Sequence, residues 1–230
     1  MNQASTPKNI TKLVNRVRLT AQKSQRSAAG ICVIAASKTR SPDNIRCAYQ
    51  CGIVNFGENY LQEALEKIEA LADLDLCWHF IGPIQSNKTR PIAENFDWVH
   101  SVERVKTARR LSDQRPPNMG PLQILLQVNI SREISKSGVL PEELPVLVEQ
   151  IKDFPRITLR GLMAIPAATN DEGQKIEPFV HMRQLLQEMQ VIAPEMDSLS
   201  MGMSSDLEEA IAQGATFIRV GTDIFGPRNG

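Results

Sequence analysis

Charge of one sign is what this chain most plainly lacks. Its 26 basic and 26 acidic residues leave a formal net charge of zero, which removes the electrostatic footprint of a nucleic-acid or anionic-lipid binder. Long hydrophobic runs are missing too, and none approaches the roughly 18 residues of a membrane span. The opening MNQASTPKNITK is polar, with no apolar core for a secretory signal. The four cysteines, Cys32, Cys47, Cys51 and Cys77, make no C-x-x-C pair. They read as buried thiols rather than as a disulfide framework or a metal site. The expectation is a soluble cytoplasmic protein without metal, acting as a monomer.

What is present is an alternation. ICVIAAS, IVNFGE, CWHFIG, DWVHSV, LQILLQVN, TLRGLMAI, DSLSMG and TFIRVG each read as a strand. Helical stretches such as NYLQEALEKIEAL, PEELPVLVEQIKDF and PFVHMRQLLQEMQVI separate them. Near-continuous apolar runs mean strands covered on both faces, as in parallel sheets. Eight such units predict an α/β fold, a single (β/α)8 barrel of TIM type over residues 1–230. An additional N-terminal helix opens the chain. Thr6 is its expected cap, Pro7 its first residue, and Ile10, Leu13, Val14, Val17 and Ala21 its apolar stripe. Only about ten residues follow the last strand, so this helix is expected to close the outer ring. An open doubly wound sheet would want a glycine-rich phosphate loop after the first strand, and VIAASKTRS has no glycine.

Barrel chemistry sits at the C-terminal ends of strands. Those ends carry Lys38, Gly57-Glu58-Asn59, His79, Ser101, Asn129, Ser200-Met201-Gly202 and Arg219-Val220-Gly221-Thr222. After the seventh strand Ser204 or Ser205 caps a new helix, and Ser205 with Glu208 has capping-box spacing. Unpaired N–H groups at a helix start suit a phosphate. After the eighth strand, Gly221 permits close backbone approach and Thr222 adds a hydroxyl. Barrel closure makes Lys38 a neighbour of both loops. An amine beside a phosphate cradle suits pyridoxal 5′-phosphate, with burial favouring the neutral amine that forms an imine.

SKTRSP, FGENYLQEALEKI, WHFIGPIQSNK, SKSG, RGLMAIP, LSMGMSSD and RVGTDIFG, in that order, resemble the pyridoxal phosphate homeostasis protein family. The resemblance runs from about Ile31 to Gly226. It implies a barrel related to the N-terminal domain of alanine racemases, a Schiff base on Lys38, and a role in vitamin B6, amino-acid and keto-acid balance with little turnover. It also implies that Arg219 faces the pyridine nitrogen, which keeps that nitrogen unprotonated and the ring a weak electron sink. Asn59 would bond the phenolic oxygen or orient the lysine, and Ser200 and Met201 would line the pocket. His79 either touches the ring from inside the barrel or is a hydrogen-bonded core histidine. Trp78 is expected to pack outward. Lys136 is either an ordinary loop lysine or a second amine able to receive or deliver the aldehyde. His100 and His181 carry no functional signal. Asp223 departs from the small residue the family pattern suggests, placing negative charge near the phosphate.

Three functions follow from these residues. The first is a protein that holds pyridoxal phosphate and hands it on, with apo-enzymes as recipients. The second is an amino-acid racemase, which needs a second base opposite the lysine. Tyr49 and Tyr60 are the two tyrosines, the former at the wrong end of the barrel and the latter beside the same rim. An extra β domain that could supply such a base is not expected here. The third is an aldolase-like enzyme using Lys38 on another phosphorylated ligand.

Overall fold

The computed structural model describes residues 5–167, 169 and 171–227. The first four residues of the polar start lie outside the described residues. Eight strands form a closed parallel barrel in sequence order. They are β1 (Cys32–Ala36), β2 (Asn55–Glu58), β3 (Cys77–Phe80), β4 (Trp98–Val102), β5 (Leu122–Val128), β6 (Ile157–Ala164), β7 (Ser198–Ser200) and β8 (Phe217–Val220). Pairing of β1 with β8, Ile34 opposite Arg219, closes the ring. The predicted barrel is therefore the observed one.

The helices are α1 (Thr6–Lys23), α2 (Pro42–Gln50), α3 (Leu61–Ala70), α4 (Thr89–Asn95), α5 (Val105–Gln114), α6 (Leu144–Ile151), α7 (Glu172–Met189), α8 (Leu207–Ala212) and α9 (Thr222–Phe225). Strand residues alternate between the barrel interior and this outer layer. Phe56 and Trp78 point outward together, ring centroids 6.0 Å apart, and Phe80 meets Phe96 at 5.3 Å. Trp78 thus packs as its alternation with His79 implies.

Helix α1 starts at Thr6, so Ser5 rather than Thr6 is the flanking residue. Ile10, Leu13, Val17 and Ala21 are buried, but Val14 is 48% exposed. The stripe runs 10-13-17-21, and Val14 lies about 100° beyond Leu13 on the cylinder. The helix packs on α2, α8 and α9 and takes the place that four-residue α9 is too short to fill. Helix α7 begins six residues before Pro178, which sits inside it.

Candidate functional site

The C-terminal strand ends surround a cavity of about 480 Å³, within the range of small-molecule sites. Lys38 lies in the turn just after β1, half-buried, and lines this cavity with Asn59. Thr39 follows with φ +63°, a left-handed conformation that reverses the chain beside the lysine. A buried charged cluster grips the backbone on either side of Lys38. Lys67 Nζ, on α3, donates to the Ser37 carbonyl (2.8 Å) and to Glu58 Oε1 (2.8 Å). Ser37 Oγ donates to the same carboxylate oxygen (2.6 Å), and the Thr39 N–H donates to Glu63 (2.5 Å). Burial pushes the Glu58 carboxyl up from its ordinary value while Lys67 and Ser37 hold it down.

Arg219 enters the cavity from β8 and is 6% exposed. Its Nη2 donates to the Ala164 carbonyl (2.9 Å) and its Nη1 to Ser200 Oγ (2.6 Å). Burial lowers its pKa to about 10, opposed by Asp206, so the guanidinium stays charged at neutral pH. Gly82 keeps Asn59 in place: a Cβ there would lie 2.1 Å from the Asn59 carbonyl oxygen.

The third side of the cavity is backbone. Ser204 and Ser205 from the β7–α8 loop and Gly221 and Thr222 at the β8–α9 turn line it, as expected from their positions. Among the described residues, no acceptor in the chain takes the N–H groups of Ser204, Ser205, Thr222 or Asp223. The capping box is not formed. Asp206 flanks α8, its carboxylate accepting the Met203 N–H (2.6 Å), and Glu208 turns away to Arg16. Arg16 also bonds Asp223 (2.7 Å). The acidic residue expected near the phosphate does line the cavity, and Arg16 on α1 pairs its charge.

Three expected positions lie elsewhere. Ser200 and Met201 do not line the cavity. Ser200 faces the barrel interior beneath Arg219, and Met201, one residue on, is fully buried in the apolar core. His79 is the hydrogen-bonded core histidine. Its Nδ1 meets His100 Nε2 at 3.0 Å and its Nε2 meets Asn55 Oδ1 at 3.0 Å. Burial lowers the pKa of His79 to about 3 and that of His100 well below the ordinary value. Lys136 stands at the mouth, beyond the cavity lining, paired with Glu133 (2.7 Å). Its ammonium also donates to the carbonyl of Ile165 (3.4 Å), a cavity residue.

Two residues escape the sequence reading. Arg40 is 5% exposed, lines the cavity, and donates to the Gly226 carbonyl (2.6 Å) with its guanidinium carbon 5.6 Å above the Phe225 ring. A second cation two residues after Lys38 was the available signal. His100 gave none, because a histidine in an apolar strand looks alike whether inert or connected.

Unpaired backbone N–H groups, an amine and a buried arginine at the strand ends of a parallel barrel point to one class of domain. The alanine racemase N-terminal domain family model matches residues 9–229. A pyridoxal phosphate homeostasis protein from Pseudomonas aeruginosa is 53% identical over 96% of this chain and 95% of its own. An unknown protein from Bifidobacterium adolescentis superposes with a TM-score of 0.91 at 31% identity, covering 97% of this chain and 95% of that one. PipY of Synechococcus elongatus, solved with pyridoxal phosphate bound, matches at 38% identity and TM-score 0.79, over 91% and 98% of the two chains. The chain belongs to the pyridoxal phosphate homeostasis protein family.

Proposed function

We propose that this protein binds pyridoxal 5′-phosphate as a Schiff base on Lys38 and serves its intracellular balance, with little turnover of its own. The observation that carries the reading is convergence on one cavity of Lys38, Arg219 and the unspent N–H groups of the two phosphate-side loops. The cofactor is a good fit for what the cavity leaves open. Asn59 Oδ1 is buried without a partner, and its amide suits the polar edge of the ring. Ser204, Ser205, Gly221 and Thr222 would hold the phosphate. Arg219 would face the ring nitrogen, and a guanidinium there disfavours ring protonation and with it carbanion chemistry. When bound, the cofactor supplies an aldehyde that condenses with amines. Lys136, at the mouth, would be the second amine on the route to recipient apo-enzymes.

The racemase alternative gains nothing from the tyrosines. Tyr49 is on α2, Tyr60 precedes α3 and is 55% exposed, and neither lines the cavity.

The test is equilibrium titration with pyridoxal phosphate, plus borohydride reduction and peptide mapping. The protein should be yellow and the label should sit on Lys38. Lys38→Ala should lose the imine absorbance yet bind at roughly micromolar affinity, about −8 kcal/mol, through the remaining donors. Gly221→Val should weaken binding even with Lys38 present, since a Cβ at 221 already meets the Ala36 carbonyl oxygen at 3.3 Å. If Lys38→Ala binds nothing while Gly221→Val binds normally, the phosphate has been placed on the wrong loops.

A further inference from the structure

Beneath Arg219, a line of buried polar groups crosses the barrel. Arg219 Nη1 donates to Ser200 Oγ at 2.6 Å. Ser200 Oγ lies 2.8 Å from His100 Nδ1, His100 Nε2 lies 3.0 Å from His79 Nδ1, and His79 Nε2 lies 3.0 Å from Asn55 Oδ1. Ser200, His79 and His100 are fully buried. The line starts in the cavity and ends at the first residue of β2, the opposite end of the barrel.

Donor counting gives the line a direction. Arg219 can only donate, so Ser200 accepts from it. If the Ser200 hydroxyl donates to His100 Nδ1, then His100 Nε2–H donates to His79 Nδ1, and His79 Nε2–H donates to Asn55 Oδ1. Every proton has an acceptor. The reverse order requires a flipped Asn55 amide and two donors converging on Ser200, whose own proton would then be buried with no acceptor recorded for it among the described residues. Cys77 agrees with the forward order. Its sulfur lies 3.4 Å from His79 Nε2, where a second acceptor is available to the Nε2–H of the forward order. A cation on either ring would turn a His100 Nδ1–H toward Ser200 Oγ, which already accepts from Arg219, and burial disfavours the charge.

We propose that Ser200, His100, His79 and Asn55 form a one-way hydrogen-bond chain that fixes the Arg219 guanidinium in the cavity, with both imidazoles neutral and protonated on Nε2. His100 and His79 are positioning residues. Each link turns an acceptor toward Arg219, so the cation is held by aligned dipoles and its charge stays available to whatever the cavity binds. A carboxylate in place of Ser200 would hold the arginine as firmly but neutralise it. As a statement about cofactor binding, the inference rests on the function proposed above.

Long-range 1H–15N correlation spectra of the ligand-free protein at pH 7 read the tautomers directly. The chain has three histidines, and His181, on α7, is the internal control. Both buried rings should show only the Nε2–H form. Ser200→Ala should populate the other tautomer and weaken pyridoxal phosphate binding about tenfold, as loss of a hydrogen bond to a charged group does. Ser200→Thr, which keeps the hydroxyl, should restore both. Should Ser200→Ala not fold, His100→Leu breaks the chain one link further and should weaken binding likewise. A Nδ1–H or cationic ring in the wild type overturns the direction. Correct tautomers with unweakened binding by the broken chains overturn the positioning role. A wild type that binds no pyridoxal phosphate overturns the function proposed above, while the tautomers still decide the chain.

Discussion

The two cations of the cavity are supported in opposite ways. Lys38 rests on a charged cluster between β2 and α3, where Lys67 and Glu63 grip the backbone of Ser37 and Thr39 and Glu58 bonds Lys67 and the Ser37 hydroxyl. Arg219 rests on neutral groups inside the barrel, which grip the side chain itself. The difference fits the roles proposed above. For an amine that exchanges partners, an anchored main chain would fix the point from which the side chain reaches. For a guanidinium that orients a ligand, uncharged supports would fix the head and leave its charge available.

Breaking the charged support should have the largest effect. Lys67→Met leaves Glu58 buried without its cation and the Ser37 carbonyl without its donor. Stability should fall by about 3–5 kcal/mol, the usual cost of orphaning one partner of a buried ion pair. Urea denaturation measures this, and a loss under 1 kcal/mol would mean that the cluster is wetter than its burial implies.

The neutral support should reveal itself in acid. In the unfolded chain both imidazoles bind a proton below about pH 6.5, whereas burial holds His79 down to about 3 and His100 well below its ordinary value. The unfolded state therefore binds more protons in that window, and stability is lost as pH falls from about 6.5 toward 3. The slope should be on the order of 1 kcal/mol per pH unit for each ring. Denaturation midpoints at pH 7.5 and pH 5 check it, a range above most carboxylate titration. Equal midpoints would show that the rings carry protons in the folded core.

The smallest effect belongs to the outer clamp. Arg16→Met frees Asp223 and Glu208, both partly exposed. Such pairs contribute roughly 0.2–1 kcal/mol to stability, so the midpoint should barely move. Pyridoxal phosphate affinity should drop several-fold because Asp223 then faces the phosphate unpaired. Added salt should shrink that loss. An affinity unchanged at low salt would show that Asp223 does not feel the ligand.

The barrel was legible because burial on both strand faces leaves short, near-continuous apolar runs such as ICVIAAS and LQILLQVN, set apart by helical stretches. Lys38, Asn59, Ser204, Ser205, Arg219, Gly221 and Thr222 were legible because strand ends are predictable even when side-chain directions are not. Direction is where the reading failed. Ser200 and Met201 sit at a strand end, but a strand presents one of two neighbours inward, and neither reached the cavity. Glu63 and Lys67 have the spacing of an ordinary helix-surface pair. Only the folded chain brings Glu58, at the end of β2, against them, and so turns that pair into a buried support.

Helix α1 joins the first turns of the chain to the last. Asn9 donates to the Ile224 carbonyl, 215 positions away, and Arg16 spans 207 positions to Asp223. Pairs so distant pay their full loop-closure entropy before they contribute anything, and topologies built on them fold slowly. On a ribosome α1 emerges before α8 and α9, and its apolar stripe has only α2 to pack on until they appear. The β7–α8 loop and the β8–α9 turn are thus among the last parts to take shape, and the ligand proposed for them would meet a finished barrel.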